Sequence, residues 1–216
     1  MADFRATRFP GGVYALTAET PDTERLLAQV EAALAGGVAA VQYRDKSDDV
    51  ARRHEQASEL VALCRRFGVP LIVNDDLRLA DLTDADGVHL GRDDASLREA
   101  RIILGRDRII GATCYQSIER ALAAQAAGAD YVAFGSFFPS PTKPAAPRAS
   151  LDLLRDAAPR IQVPIVAIGG ITLANAPALL DAGADSLAVL SALFDAADIR
   201  AAAHELNQLF ETEPEE

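Results

Sequence analysis

The chain has 216 residues, half of them apolar, and a formal net charge of −11. That length supplies one well-covered core with no need to split it in two. The acidic balance excludes an ordinary nucleic-acid binder, which carries a basic surplus, and it means that any anionic ligand needs a local cationic pocket against the global field.

In chain order, a first strand is expected at 13–17. Pro21 and Asp22 open a helix on which Leu26, Leu27, Val30, Ala33 and Leu34 fall at helical spacing, and Gly36-Gly37 closes it. The next apolar run, 38–41, passes straight into Gln42-Tyr43-Arg44-Asp45-Lys46. Strand side chains alternate between two faces, so Gln42, Arg44 and Lys46 share one face and Val41 and Tyr43 the other. An amide and two cations on one face of a strand end make an anion receptor; the plainer alternative is a strand running out into a charged loop.

A helix over 49–67 carries Ala57, Leu60, Val61 and Cys64 on one face and stops at Gly68. A strand at 70–73 ends in Asn74-Asp75-Asp76. A short helix over 77–83 leads to the strand Gly87-Val88-His89-Leu90-Gly91, and a helix over 95–104 leads to a strand at 109–113. An alanine-rich helix over 117–127 precedes a strand at 131–135, which opens into a proline-rich loop. A helix over 150–157, a strand at 164–168 ending in Gly169-Gly170, a helix over 173–182, a strand at 186–190 and a last helix over 196–211 complete the chain. The ends, about 1–10 and the acidic 212–216, are expected to be flexible.

One phrase recurs, a helix followed by glycine with small or acidic residues and then a strand, as in Ala127-Gly128-Ala129-Asp130 and Ala182-Gly183-Ala184-Asp185. Strict alternation of short Val/Ile-rich strands with helices predicts a parallel sheet covered on both faces. Eight such units suit one (β/α)8 barrel, a TIM barrel spanning 1–216 as one domain. The alternative is a doubly wound open sheet, but no Gly-x-Gly-x-x-Gly follows the first strand.

Cys64 and Cys114 show no disulfide or zinc spacing, the first residues hold no apolar signal core, and no apolar run reaches the roughly 18 residues that span a membrane. A cytoplasmic protein with no membrane or nucleic-acid partner is expected, and the sequence leaves room for a homo-oligomer.

In a barrel the chemistry sits at the C-terminal ends of the strands, and the polar residues gather there. Asn74-Asp75-Asp76 and Asp93-Asp94 follow neighbouring strands. Two carboxylates about 4 Å apart repel by roughly 4 kcal/mol at an effective dielectric near 20, and magnesium, which takes one or two carboxylates plus phosphate oxygens and water, removes that penalty. Asp76 and Asp93 could equally be helix caps or solvated turns. The loop from Gly135 offers Ser140, Thr142 and Lys143 to phosphate oxygens, and its distal part, 144–149, could act as a lid. Gly169-Gly170, with a helix start near Thr172, and Leu190-Ser191 suit a second phosphate. His89 is expected to pack or hydrogen-bond near the barrel top, Cys114 and Tyr115 to approach the mouth, and Arg92 to be a rim charge. Two phosphate-recognising regions and one metal, with no paired nucleophile and base, favour a reaction in which a diphosphate leaves and a phosphorylated partner attacks.

These motifs in this order and spacing resemble the thiamine-phosphate synthase family: 42–46, 73–76, 87–91 with Asp94, 139–143, 168–171 and 190–191. The resemblance implies a transferase that joins a hydroxymethylpyrimidine diphosphate to a thiazole phosphate, plain or carboxylated, and releases pyrophosphate through a pyrimidine-methyl cation. By it, Asp75 and Asp94 would bind one Mg2+ per subunit. Gln42, Arg44, Lys46, Asn74 and Lys143 would hold the pyrimidine diphosphate with Thr113 close by, and Arg44, Lys46 and Lys143 would neutralise the leaving group. Ser140, Thr142, Gly170, Leu190 and Ser191 would hold the thiazole phosphate. Thr113 stands where serine is usual, Ser140 where threonine is, Arg92 for a common glutamine and Ser136 for a common proline. The rivals are a thiazole tautomerase, which needs no carboxylate pair, and a non-catalytic phosphate-binding barrel, which need not keep Arg44, Lys46 and Lys143 together.

Overall fold

A computed structural model describes residues 8–140 and 147–211. Eight strands, β1 (Gly12–Leu16), β2 (Ala40–Tyr43), β3 (Leu71–Asn74), β4 (Gly87–Leu90), β5 (Ile109–Tyr115), β6 (Tyr131–Gly135), β7 (Ile165–Ile168) and β8 (Ser186–Val189), pair in parallel in chain order, and β8 closes on β1. The expected (β/α)8 barrel is what forms, and no open doubly wound sheet. Around it lie α1 (Thr23–Ala35), α2 (Val50–Phe67), α3 (Leu77–Leu82), α4 (Leu97–Leu104), α5 (Ile118–Ala126), α6 (Leu151–Ala157), α7 (Ala176–Asp181), α8 (Ser191–Phe194) and α9 (Ile199–Gln208).

The recurring acidic phrase has a structural cause. Asp86, just before β4, accepts the Leu71 N–H of β3 at 2.9 Å; Asp130, before β6, accepts Ile110 N–H of β5 at 2.8 Å; Asp185, before β8, accepts Ile165 N–H of β7 at 2.7 Å. Each aspartate satisfies a strand-start donor that the parallel ladder leaves unpaired at the bottom of the barrel.

Two apolar layers follow from the period-two alternation. Val13, Val41, Val73, Val88, Val132 and Leu187 face outward under the helices. Tyr14, Leu16, Ala40, Ile72, Tyr131, Ala133 and Val166 fill the barrel interior. Phe9 belongs to this inner layer. It is fully buried and stacks on Tyr131 with ring centroids 4.0 Å apart; residues 1–7 of the start expected to be flexible lie outside the described residues. Burying such a ring stabilises by about 2–3 kcal/mol, which fixes the chain.

Three of the differences from the expected boundaries have a visible cause or consequence. The last helix, expected over 196–211, runs from Ile199 to Gln208, with Asp198 capping it by accepting the Ala201 N–H at 2.9 Å, and α8 is a separate single short turn after β8. The helix expected over 173–182 begins at Ala176, because Asn175 accepts the Thr172 N–H at 2.9 Å and donates to the Gly170 carbonyl at 3.0 Å, folding 172–175 into a turn. β5 runs on to Tyr115, with a register shift against β6 after Thr113. No helix among the described residues is long and apolar enough to cross a membrane.

Candidate active site

The loop after β2 is held by Asp45. The Asp45 side chain is buried and accepts from Ser47 N–H at 2.7 Å and from the Arg52 guanidinium at 3.2 Å. Burial pushes its carboxyl up, but the Ser47 and Arg52 hydrogen bonds outweigh that and hold it below the usual carboxylate range. With Asp45 pinned on the outer side, Arg44 and Lys46 take the inner face together with buried Gln42. Their backbone is tied to the loop after β1, Arg44 N–H to Thr17 Oγ1 at 3.0 Å and Lys46 N–H to Glu19 Oε2 at 3.1 Å. The half-buried Arg44 guanidinium makes no ion pair or hydrogen bond among the described residues, in a chain whose net charge is −11. The side chain of Asn74, at the end of β3, is likewise unengaged among them.

The four aspartates sort themselves by their partners. Asp76 caps α3 by accepting Leu79 N–H at 2.9 Å and pairs with Arg53 at 2.6 Å, and Asp93 is exposed. Asp75 sits at a left-handed φ of 64°, a conformation that costs a non-glycine residue about 1–2 kcal/mol, held by its N–H donating to the His89 carbonyl at 2.8 Å. Its carboxylate lies 3.2 Å from Lys46 Nζ. Asp94, whose Oδ2 accepts the Gly91 N–H at 2.6 Å, reaches back to hydrogen-bond with Asp75. The Asp94 carboxyl is pushed up, first by burial and then by the bond and charge of Asp75; the Gly91 N–H and Lys46 oppose the shift only in part. Among the described residues no three His, Cys, Asp or Glu side chains cluster. A close carboxylate pair that resists full ionisation suits a hard divalent cation whose other ligands are phosphate oxygens and water.

That pair carries a testable sign. An acid raised in the folded state leaves stability intact below its unfolded pKa and costs stability as pH rises through its folded one. At neutral pH, Asp94→Asn removes this repulsion. We expect the metal-free variant to melt on the order of 1–2 °C above wild type, and to show no rise in melting temperature when magnesium is added. A lower melt in chelator would contradict the placement.

Inside the mouth, Thr113 Oγ1 lies 2.7 Å from His89 Nε2, so His89 hydrogen-bonds near the barrel top as expected. Cys114 points outward; its Sγ lies 3.6 Å from the Ala112 carbonyl and burial pushes its thiol up to about 12, so it is no nucleophile. Tyr115 lies on the rim between two guanidinium groups, Arg92 at 5.2 Å and Arg120 at 5.4 Å from its ring.

On the far side, the start of the β6 loop lies directly on the end of β7. Phe137 N–H donates to the Ile168 carbonyl at 3.1 Å and Phe138 N–H to the Gly169 carbonyl at 2.9 Å. Gly170 takes a left-handed φ of 64°, and a Cβ there would run into the Pro139 carbonyl; only glycine permits this approach. Ser140, Gly170, Leu190 and Ser191 are all half-buried here, at the ends of β6, β7 and β8. Thr142, Lys143 and the first part of the expected lid, 144–146, lie outside the described residues. Gln116, which the motifs do not mark, donates from Nε2 to the carbonyls of Gly135 and Pro147 and so ties both limbs of the loop to the end of β5. Tyr14 and Tyr131 were also not singled out. Their only sequence signal is a phenol at an inward strand position where neighbouring strands carry aliphatic or small residues.

A family model described as thiamine monophosphate synthase matches residues 13–193. The chain is 79% identical over 208 residues to the thiamine-phosphate synthase of Thiobacillus denitrificans, covering 96% of this chain and 99% of that one. It is 54% identical over 199 residues to the thiamine-phosphate synthase of Methylobacillus flagellatus, covering 92% and 95%. Among solved structures, the thiamine phosphate pyrophosphorylase of Pyrococcus furiosus superposes with a TM-score of 0.83 at 36% identity, covering 95% of this chain and 96% of that one.

Proposed function

The chain belongs to the thiamine monophosphate synthase family, and we propose that its barrel mouth joins a hydroxymethylpyrimidine diphosphate to a thiazole phosphate, releasing pyrophosphate. The observation that carries this reading is the Arg44 guanidinium, without a partner among the described residues, on the same strand end as Lys46, which reaches the Asp75–Asp94 pair. Fixed positive charge beside a carboxylate pair that needs a cation is a receptor for a diphosphate.

Gln42, Asn74 and Thr113 hold the pyrimidine diphosphate. Asp75 and Asp94 would hold one magnesium ion, which supplies charge neutralisation at the diphosphate oxygens. The carbon–oxygen bond of the pyrimidinylmethyl group breaks and its electron pair leaves with pyrophosphate, against Arg44, Lys46 and Lys143. The methylene carbon is left as a cation stabilised by the ring amino group. The lone pair of the thiazole nitrogen then forms the new carbon–nitrogen bond. Ser140, Thr142, Gly170, Leu190 and Ser191 hold the thiazole phosphate so that this nitrogen faces the carbon. No proton transfer is needed to form that bond. A carboxylated thiazole is accommodated by the same scheme: after coupling, carbon dioxide leaves, the carbon–carbon bonding pair stays on the ring carbon, and that carbon takes a proton from water. The reaction is placed in the cytoplasm.

Mixing both substrates with the protein and magnesium tests the reading. Thiamine phosphate and pyrophosphate are expected in equal amounts; isomerisation of the thiazole without pyrophosphate would transfer the chain to the tautomerase reading. Lys143→Ala is expected to slow single-turnover bond breaking by on the order of 100-fold with little change in thiazole phosphate affinity. The reverse pattern would move Lys143 to the other substrate.

A further inference from the structure

We propose that Tyr131 is a positioning residue that fixes, through a buried chain of hydrogen bonds, which way Gln42 and Thr113 face the substrate, by holding His89 as its Nε2–H tautomer. The proposal rests on the reading of Gln42 and Thr113 as substrate-holding groups.

The chain crosses the whole barrel. Gln42 Nε2 donates to Tyr14 Oη at 2.8 Å, Tyr14 Oη meets Tyr131 Oη at 2.9 Å, Tyr131 Oη meets His89 Nδ1 at 2.8 Å, and His89 Nε2 meets Thr113 Oγ1 at 2.7 Å. Residues from β2, β1, β6, β4 and β5 are joined in that order. Both phenols are almost completely buried and keep their protons, since burial pushes each hydroxyl above the ordinary tyrosine value. Tyr131 cannot swing out of line. Its ring lies against Gly111, where a Cβ would strike it, under the stacked Phe9 and edge-on to Tyr14 at 5.9 Å.

With one proton on each phenol, the chain has one direction. Tyr14 receives from Gln42, so its own proton goes to Tyr131. Tyr131 receives that bond, so its proton goes to His89 Nδ1. A nitrogen that accepts carries no proton, so the His89 proton sits on Nε2 and is donated to Thr113 Oγ1. The Thr113 hydroxyl proton is then turned away from His89 and toward the mouth, while Gln42 keeps its carbonyl oxygen for the substrate. The opposite direction requires the Gln42 amide to turn over. Every bond then reverses, His89 holds its proton on Nδ1, and Thr113 shows a lone pair to the mouth. Beside Arg44 and Lys46, a donor on Thr113 matches an anionic substrate and a lone pair opposes it. Tyr131 is fully buried, so it acts only through its neighbours.

The tautomer is directly readable. The chain has three histidines, and nitrogen-15 NMR of histidine-labelled protein, with His89→Gln to assign the signal, is expected to show His89 Nδ1 as an unprotonated nitrogen and Nε2 as protonated in the substrate-free wild type. Tyr131→Phe is expected to mix the tautomers and lower kcat roughly tenfold, the scale of one buried hydrogen bond. It should also raise KM for the pyrimidine diphosphate and leave KM for the thiazole phosphate unchanged. Thr113→Val should cost less in the Tyr131→Phe background than in wild type. An Nδ1–H tautomer in wild type, or a Tyr131→Phe protein with unchanged tautomer and kinetics, overturns the proposal. The wild-type tautomer is read without the Tyr131→Phe protein and without a substrate. A protein with the expected tautomer that makes no thiamine phosphate would sink the functional reading instead.

Discussion

Asp75→Asn is expected to lose roughly 10³-fold in kcat with saturating magnesium and both substrates, a barrier increase of about 4 kcal/mol. The variant isolates charge from shape. Asp75 stands at φ 64°, and asparagine tolerates the left-handed region about as well as aspartate, so the N–H bond to His89 survives. The amide oxygen can still meet Lys46 Nζ, which lies 3.2 Å from the carboxylate. What disappears is one negative charge of a pair whose closeness adds to burial in raising Asp94. Turnover within threefold of wild type would remove the carboxylate pair from the mechanism.

Arg44→Ala is the second large effect. The guanidinium has no partner among the described residues to leave orphaned, and it is half-buried, so truncation should shift folding stability by no more than about 0.5 kcal/mol. Turnover should nevertheless fall on the order of 100-fold, the scale of one preorganised charged donor lost from a departing anion. The KM for the pyrimidine diphosphate should rise and that for the thiazole phosphate should not. Arg44→Lys should recover only part of the loss, because an ammonium offers no planar fork to two phosphate oxygens. Kinetics close to wild type for the alanine variant, with stability unchanged, would make Arg44 a surface charge.

The barrel was legible because its period is written locally. The aspartates at 86, 130 and 185 each accept an N–H at the start of a neighbouring strand, so the phrase that marks these units in the sequence is the one that joins the strands. The proposed anion receptor is equally local in the sequence: Gln42, Arg44 and Lys46 alternate with Val41, Tyr43 and Asp45 over a single strand end. Spacing narrowed the acids to two tandem groups and went no further. Choosing Asp75 over Asp76 depends on Arg53, 23 residues away, which takes Asp76. The tyrosine chain was not legible at all. Tyr14 and Tyr131 meet across 117 residues, and each reads locally as one more core aromatic. The start of α9 lies three residues later than expected because alanine-rich sequence over 196–203 favours a helix throughout, and only the Asp198 cap moves the start to Ile199.

The central claim is that one carboxylate pair and the cations beside it take a diphosphate together. A crystal grown with pyrophosphate and manganese, a magnesium surrogate with a usable anomalous signal, tests it most directly. The account predicts an anomalous peak between the Asp75 and Asp94 carboxylates, with pyrophosphate oxygens on it and the Arg44 guanidinium within hydrogen-bonding distance of the same anion. A peak elsewhere, or pyrophosphate bound away from Arg44 with Asp75 and Asp94 still joined to each other, would contradict it.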